Sequence, residues 1–324
     1  MKHPSSPVLV IVAALLTASC GRVSPATPSD PASPPIAPAD ATGQVVSIES
    51  VAGGISDVVI SGMSGREART DARGFFTLDA NTSTYSLLLK HPDYVDRRTA
   101  VRLPANGLQV SMIPSTFDQA AFEEFAPRAT TTGLRRWTED PSLVVLTNVV
   151  NYEVIAFDPL VTDRRVADAD LACLRDGMQK AIGTMSDGVL TFKKVVMLSL
   201  PAGSRFSIPS TNEGTIVVAA TRGLGANGRA SAFAGNQPGV LVRGIIWVTA
   251  DNLSLCGSTA ARVYPHELGH ALGYQHVMLE PSVMSGIQPS NGLTAFDRDA
   301  LRIIYQRPPG NRVPDIDPPT YVIN

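Results

Sequence analysis

The sequence predicts an α+β protein in which a small all-β sandwich precedes a larger domain with a twisted mixed sheet and long helices. Short alternating apolar runs, separated by turn residues, fill residues 43–115 and are typical of sandwich strands. Apolar residues recur every three to five positions across residues 163–185, which indicates an amphipathic helix. Apolar runs at residues 190–200, 215–220 and 240–248 predict the further strands.

Length and charge limit the organisation and the partners. The chain has 324 residues, which suggests about two domains at ~150 residues each. Lys and Arg number 27 against 29 Asp and Glu, a net charge of −2, so no basic surface is predicted that would bind a phosphate backbone. The sequence therefore predicts no nucleic-acid partner.

Residues 1–19 predict an export signal. Nine consecutive apolar residues at positions 8–16 are too few to cross a bilayer and are typical of a signal-peptide core. Residues 16–21, Leu-Thr-Ala-Ser-Cys-Gly, resemble the lipobox of bacterial lipoproteins. That resemblance implies lipid on Cys20, export to the bacterial cell envelope and, because Gly21 is not Asp, the outer membrane. The alternative is an ordinary secretory signal that is cut nearby.

Proline-rich segments lie near both ends of the chain. Six prolines occur between residues 22 and 42, without apolar periodicity, so residues 20–42 are predicted to be a linker. Polyproline II at ~3.1 Å per residue would let this segment reach roughly 60 Å. Residues 309–324 are predicted to be a Pro-rich C-terminal tail.

The predicted sandwich covers residues 43–115. Six strands are expected, at residues 45–48, 58–60, 75–78, 85–89, 99–103 and 108–112. Gly43-Gln44-Val45, the turn at residues 70–75 and Asp93-Tyr94 resemble recurring features of carboxypeptidase regulatory-like β-sandwiches. His91 is predicted to be a loop residue, because a metal site needs several convergent groups.

The second predicted domain covers residues 117–308 in the order helix, sheet, helix. If Cys20 carries lipid, Cys173 and Cys256 remain. An even pair in an oxidising compartment predicts one disulfide, and two buried free thiols are the alternative.

One glycine-rich segment matches a dinucleotide fingerprint without the context that the fingerprint needs. Residues 223–228, Gly-Leu-Gly-Ala-Asn-Gly, follow a predicted strand. The next ten residues contain Gly235 and Pro238 and predict no helix to receive a pyrophosphate. A loop is therefore predicted, and no nucleotide partner.

The chemistry is concentrated in an eleven-residue segment, His-Glu-Leu-Gly-His-Ala-Leu-Gly-Tyr-Gln-His. Helix positions i and i+4 share a face, so His266 and His270 can present their imidazoles to one ion. Gly273 permits a left-handed turn that returns His276 as a third ligand. Glu267 is then free to accept a proton from a metal-bound water. Three imidazoles and an open position predict a catalytic zinc site, and ordinary core histidines are the alternative.

This His-Glu-x-x-His-x-x-Gly-x-x-His spacing resembles that of the metzincin metalloproteases, and within them the matrixins. Met284 lies eight residues beyond His276, which is the matrixin interval for the Met-turn. Residues 293–305 resemble the closing matrixin helix. The resemblance implies one catalytic Zn²⁺, Met284 as a structural residue beneath it, and a peptide substrate extended along an edge strand at residues 229–234.

These patterns together predict a secreted, lipid-anchored zinc endopeptidase with Glu267 as the general base. Its expected partners are a protein or peptide substrate and, through the N-terminal lipid, a membrane. No pattern in the sequence assigns a Ca²⁺ site. The competing hypothesis is a non-enzymatic surface lipoprotein, an adhesin or scaffold, with a vestigial protease domain.

Overall fold

The computed structural model describes residues 39–62, 65–80, 84–152, 159–206, 213–251 and 254–323. The chain separates into compact units at residues 1–37 and 38–324, and the described residues all belong to the second unit. The predicted signal peptide, Cys20 and most of the predicted linker lie outside the described residues. None of the described helices is long and apolar enough to cross a membrane.

Eight strands make up the N-terminal region of the described chain. They are β1 (Ala39–Ser47), β2 (Ser50–Gly54), β3 (Val59–Gly62), β4 (Glu67–Arg69), β5 (Phe75–Ala80), β6 (Thr84–Lys90), β7 (Arg97–Arg102) and β8 (Ala105–Met112). One sheet has the order β2-β1-β5 with β8 also paired to β1, and the other has the order β4-β3-β6-β7. Both sheets contribute to one core, in which Val45, Ile60, Leu89 and Val110 are fully buried. Two sheets that share a core form the sandwich that the alternating runs predict.

Two details of the sandwich differ from the prediction. Strand β1 begins at Ala39, inside the predicted linker, because residues 39–44 pair with β5 through backbone groups that need no apolar periodicity. Strands β2 and β4 were not predicted. Strand β4 has only three residues, none of them buried, so it carries no alternating apolar signal.

The remaining elements form a mixed α+β region. They are α1 (Gln119–Phe125), β9 (Ser142–Leu146), β10 (Asn148–Asn151), β11 (Leu160–Arg165), α2 (Asp168–Thr184), β12 (Lys194–Leu198), β13 (Thr215–Arg222), β14 (Gly228–Ala234), β15 (Leu241–Thr249), α3 (Ser258–Ala271) and α4 (Ala295–Gln306). The seven strands form one sheet with the order β11-β10-β13-β15-β14, in which β9 pairs with β13 and β12 pairs with β9. Strands β13 and β15 are buried almost throughout, as expected for parallel strands covered on both faces.

The amphipathic helix predicted at residues 163–185 begins later, at Asp168. The residues before it end strand β11, which pairs with β10 and so takes an extended backbone. Leu174 and Met178 are buried on the inner face of α2. Cys173 of this helix forms a disulfide with Cys256, just before α3, and their Cα atoms are 5.2 Å apart. The predicted disulfide is confirmed.

Residues 223–227 of the glycine-rich segment form a loop that leads into strand β14, which begins at Gly228. No helix follows this loop, so the feature that binds a pyrophosphate in dinucleotide-binding folds does not form here. The prediction of a loop is confirmed.

A buried group of charges joins the sandwich to the end of α4 and the segment after it. Arg307 pairs with Asp315 at 2.7 Å and Arg97 of β7 pairs with Asp317 at 3.2 Å, and all four side chains are buried. The backbone carbonyl of Ser111 accepts from Arg97 at 2.6 Å and from Arg307 at 3.0 Å. We call Arg97, Arg307, Asp315 and Asp317 the arginine-aspartate cluster.

The segment that was predicted to be a Pro-rich tail, residues 309–324, runs along β7 from residue 315 to residue 323. The amide of Arg98 donates to the Asp315 carbonyl, and the amide of Asp317 donates back to the Arg98 carbonyl, both at 2.9 Å. Further along, the amide of Ile323 donates to the Ala100 carbonyl at 2.8 Å. Backbone pairing therefore fixes this segment beside the sandwich.

Candidate metal centre

Helix α3 carries the first two predicted ligands, and it ends where the sequence predicts. His266 and His270 are one turn apart on the same face. The helix is capped at Leu272, and Gly273 follows with φ of +103°, in the left-handed region. A side chain there would be strained, and the turn returns the chain so that His276 approaches the other two rings.

The three imidazoles converge. Nε2 of His276 is 3.3 Å from Nε2 of His266 and 3.1 Å from Nε2 of His270. Nδ1 of His266 lies 2.8 Å from the carbonyl oxygen of Val283, and Nδ1 of His270 lies 2.8 Å from that of Tyr274. A carbonyl can only accept, so in the neutral rings each Nδ1 donates its proton and each Nε2 keeps its lone pair.

This donor set fits a zinc ion. Nitrogen ligands placed ~2.0–2.1 Å from a tetrahedral zinc lie about 3.3 Å apart, close to the separations above. Burial lowers the pKa of His270 to about 4, and burial followed by the charge of His276 lowers the pKa of His266, so both rings are neutral ligands near pH 7. Among the described residues, these three histidines form the one group that could hold a metal.

Glu267 lies beside the histidines as a buried carboxylate. It is 5 % exposed, and its Oε2 has no hydrogen-bond partner among the described residues. Burial raises its pKa to about 8, against the opposing effect of the Arg229 charge. A Cβ at Gly228 would lie 2.5 Å from Glu267 Oε1, so the start of β14 leaves room for this carboxylate only because residue 228 is glycine. A buried oxygen without a hydrogen-bond partner is expected of a general base, which must be free to accept a proton from a water molecule bound in the site.

Met284 lies directly beneath α3, where a Cβ at Gly269 would collide with its sulfur. The turn that carries it is held from α4 by Asp297, which accepts from Ser282 Oγ at 2.5 Å and from the Val283 amide at 3.0 Å. The Val283 carbonyl is the acceptor that orients the first histidine. Asp297 of α4 therefore positions His266 through the backbone of Val283.

Two positioning carboxylates were missed by the sequence analysis. Glu124 Oε2 accepts from the amides of Met278 at 2.7 Å and Leu279 at 3.1 Å, and so holds the loop after the third ligand. Asp297 could have been found from the sequence, because it forms a capping box with Thr294 at the start of α4. Glu124 is far away in sequence, and no local pattern identifies its partners.

A cleft of about 800 Å³ contains the metal centre. It is lined by strand β14, by residues 285–289 and by α3. A Cβ at Gly286 would lie 2.8 Å from Nδ1 of His276, so this backbone supports the third ligand. Strand β14 pairs with β15 and stands at the end of the strand order, which confirms the edge strand expected at residues 229–234.

No protein-family model and no curated protein matches this chain. Among solved structures, the chain is similar to metalloproteinase-II from Bacteroides fragilis at 11 % identity and a TM-score of 0.31, covering 81 % of this chain and 84 % of that chain. It is also similar to a chain of a type II cohesin-X-dockerin complex from Acetivibrio cellulolyticus, at 18 % identity and a TM-score of 0.19, covering 23 % of this chain and 56 % of that chain. A DUF3823 family protein from Bacteroides ovatus gives 11 % identity and a TM-score of 0.20, covering 28 % and 50 %. This chain thus spans about half the length of the latter two.

Proposed function

We propose that this protein is a zinc-dependent endopeptidase of the matrixin-like metzincin type. The proposal rests on the convergence of three imidazole rings beside a buried carboxylate. Nε2 of His276 lies 3.3 Å from that of His266 and 3.1 Å from that of His270. Oε2 of Glu267 is buried beside them and has no hydrogen-bond partner among the described residues. Three nitrogen ligands leave one position of a tetrahedral ion open, which is typical of catalytic sites. The cleft gives a peptide access to that position.

A zinc ion held by the three imidazoles would supply Lewis acidity for the scissile carbonyl and for the attacking water. Glu267 accepts a proton from that water at Oε2 and delivers it to the nitrogen of the leaving amine. The open edge of β14 pairs with the backbone of an extended peptide and aligns it with the cleft.

Paired carboxylate variants test this assignment. Glu267→Gln keeps size and shape but removes the base, so peptide turnover is expected to fall by on the order of 10² to 10⁴ while zinc content stays unchanged. Glu139→Gln, at an exposed carboxylate outside the cleft, is the matched control and keeps wild-type turnover. Wild-type turnover in Glu267→Gln would refute the proposed role. A zinc-loaded wild-type protein that cleaves neither casein nor gelatin would favour the non-enzymatic lipoprotein instead.

We also propose that the protein is exported and anchored in the bacterial outer membrane by lipid on Cys20, on the evidence of the lipobox-like sequence alone. Mature protein is expected to partition into detergent, and Cys20→Ala is expected to move it to the aqueous phase. A wild-type protein in the aqueous phase with an unmodified N-terminus would contradict this anchor.

A further inference from the structure

The cleft concentrates positive charge, although the chain as a whole has a net charge of −2. Three arginines line it, Arg135, Arg229 and Arg262. Glu267 is the one carboxylate among the described residues that line the cleft, and it is buried. The surface that meets a substrate is therefore cationic.

Arg229 is held in place without losing its charge. Its Nη1 donates to the hydroxyl of Tyr152 at 2.7 Å, and its guanidinium lies 5.3 Å from the centre of that ring. Tyr152 is a neutral partner, so the positive charge is oriented by this contact and not neutralised. The contact fixes one cation on the edge strand of the cleft.

The side chains of Arg262 and Arg135 have no hydrogen bond or ion pair to any described residue, and both residues line the cleft. Arg262 is exposed and Arg135 is half-buried. Other exposed arginines of the chain do pair with carboxylates, for example Arg165 with Asp168 at 3.3 Å. The two cleft arginines therefore remain available to a carboxylate that arrives with a ligand.

These two arginines stand towards opposite ends of the ligand helix. Arg262 precedes the first histidine ligand by one turn on α3. The carbonyl of Arg135 lies 3.4 Å from the Cβ position at Gly273, where that helix has ended. At 1.5 Å of helix rise per residue, Arg262 and the end of α3 near Gly273 are roughly 15 Å apart. An extended peptide covers that distance in about five residues.

We infer that this cleft selects acidic peptide segments, with Asp or Glu within about three residues of the cleaved bond, and that Arg135 and Arg262 recognise those side chains. The inference rests on the proposed endopeptidase function. The planar guanidinium of arginine pairs with a carboxylate through two parallel hydrogen bonds, whereas a lysine-rich segment would be repelled. Because the arginines are at least partly exposed, the preference should weaken as salt is raised.

Three peptides of one length test the preference. They differ only in the three residues on each side of the central bond, where one carries glutamates, one glutamines and one lysines. Wild-type protein is expected to cleave the glutamate peptide with kcat/KM at least about tenfold above the glutamine peptide, and the lysine peptide most slowly. The double variant Arg135→Gln, Arg262→Gln is expected to bring the glutamate-to-glutamine ratio close to one. Arg102→Gln, an exposed arginine of the sandwich, is the matched control and keeps the wild-type ratio.

A binding measurement separates this inference from the proposed function. Fluorescent forms of the same peptides are titrated with Glu267→Gln protein, and the glutamate peptide is expected to bind at least about tenfold more tightly than the glutamine peptide. Equal binding and equal turnover of those two peptides would overturn the acidic selection and leave the endopeptidase intact. Selective binding of the glutamate peptide, with no peptide cleaved by wild-type protein, would uphold the selection and refute the endopeptidase.

Discussion

The arginine-aspartate cluster and the histidine site are both buried and polar, but only the cluster contains partners of opposite charge for its own charged groups. In the cluster, two guanidinium groups face two carboxylates at 2.7 and 3.2 Å, and Asn311 donates to both carboxylates at 3.0 and 2.8 Å. In the histidine site, three imidazole Nε2 atoms converge, and those of His266 and His270 keep their lone pairs because each Nδ1 donates to a backbone carbonyl. The cluster pairs its charges within the chain, and of its side-chain atoms only Arg97 Nε is buried without a partner among the described residues. The histidine site pairs its lone pairs only when a cation binds.

This difference separates a structural role from a functional one. Opposite charges that satisfy each other fix the segment after α4 to the sandwich. Convergent lone pairs contribute nothing favourable until an ion binds, so their arrangement is explained by the ion. Damage to the cluster should therefore lower the stability of the fold, and damage to the histidines should remove zinc and activity.

The largest effect is expected from His270→Ala. This variant keeps two of three protein ligands, so zinc should be lost or bound far more weakly, and peptide turnover should fall to background. Metal analysis and turnover measure both changes. Full zinc content in this variant would contradict the assignment of His270 as a zinc ligand.

The next largest effect is expected from Asp315→Ala. Removing this carboxylate leaves Arg307 buried without its partner, which typically costs about 3–5 kcal/mol of unfolding free energy. Urea denaturation measures the change, with Asp163→Ala at an exposed carboxylate as the control. Folded Asp315→Ala protein should still bind zinc. A loss below about 1 kcal/mol would show that the cluster does not have the structural role assigned to it.

A pH-dependent effect is expected from Glu267→Gln in chelator-treated protein. Burial raises the folded-state pKa of Glu267 to about 8, above the ordinary value of about 4.3 that applies when the chain is unfolded. Between these values the folded chain binds more protons, so stability falls as pH rises. The variant should melt with wild type at pH 4 and several degrees above it at pH 8, since ~1 kcal/mol shifts the melting temperature by about 2–4 °C. Equal melting temperatures at pH 8 would contradict the buried, partnerless carboxylate.

The smallest effect is expected from Gly286→Ala. The added methyl group would lie 2.8 Å from Nδ1 of His276, so the ring must shift by a few tenths of an ångström. Zinc affinity should fall by about tenfold, the lower range for changes just outside the ligands. Competition with a chromophoric chelator measures it. Gly183→Ala on α2, where a Cβ meets nothing within 4 Å, should leave the affinity unchanged. Equal affinities in the two variants would show that Gly286 does not support the ligand.

The sequence predicted the parts of the molecule that depend on local spacing. The helical pair His266 and His270 and the turn at Gly273 lie within one short segment, so their geometry follows from helix periodicity and backbone freedom. Strands with alternating burial, such as β6, were predicted for the same reason. The arginine-aspartate cluster could not be predicted, because Arg97 and Asp317 are 220 residues apart and a Pro-rich segment carries no pattern that identifies its partner.

We propose that three imidazoles hold a zinc ion that the protein uses to cleave peptides. The most direct measurement is the metal content of purified protein, with peptide turnover recorded before chelation, after chelation and after zinc is restored. We expect about one zinc per chain, loss of turnover on chelation and recovery with one equivalent of zinc. A protein that carries no zinc and does not bind it when supplied, or one whose turnover survives complete removal of metal, would contradict the claim.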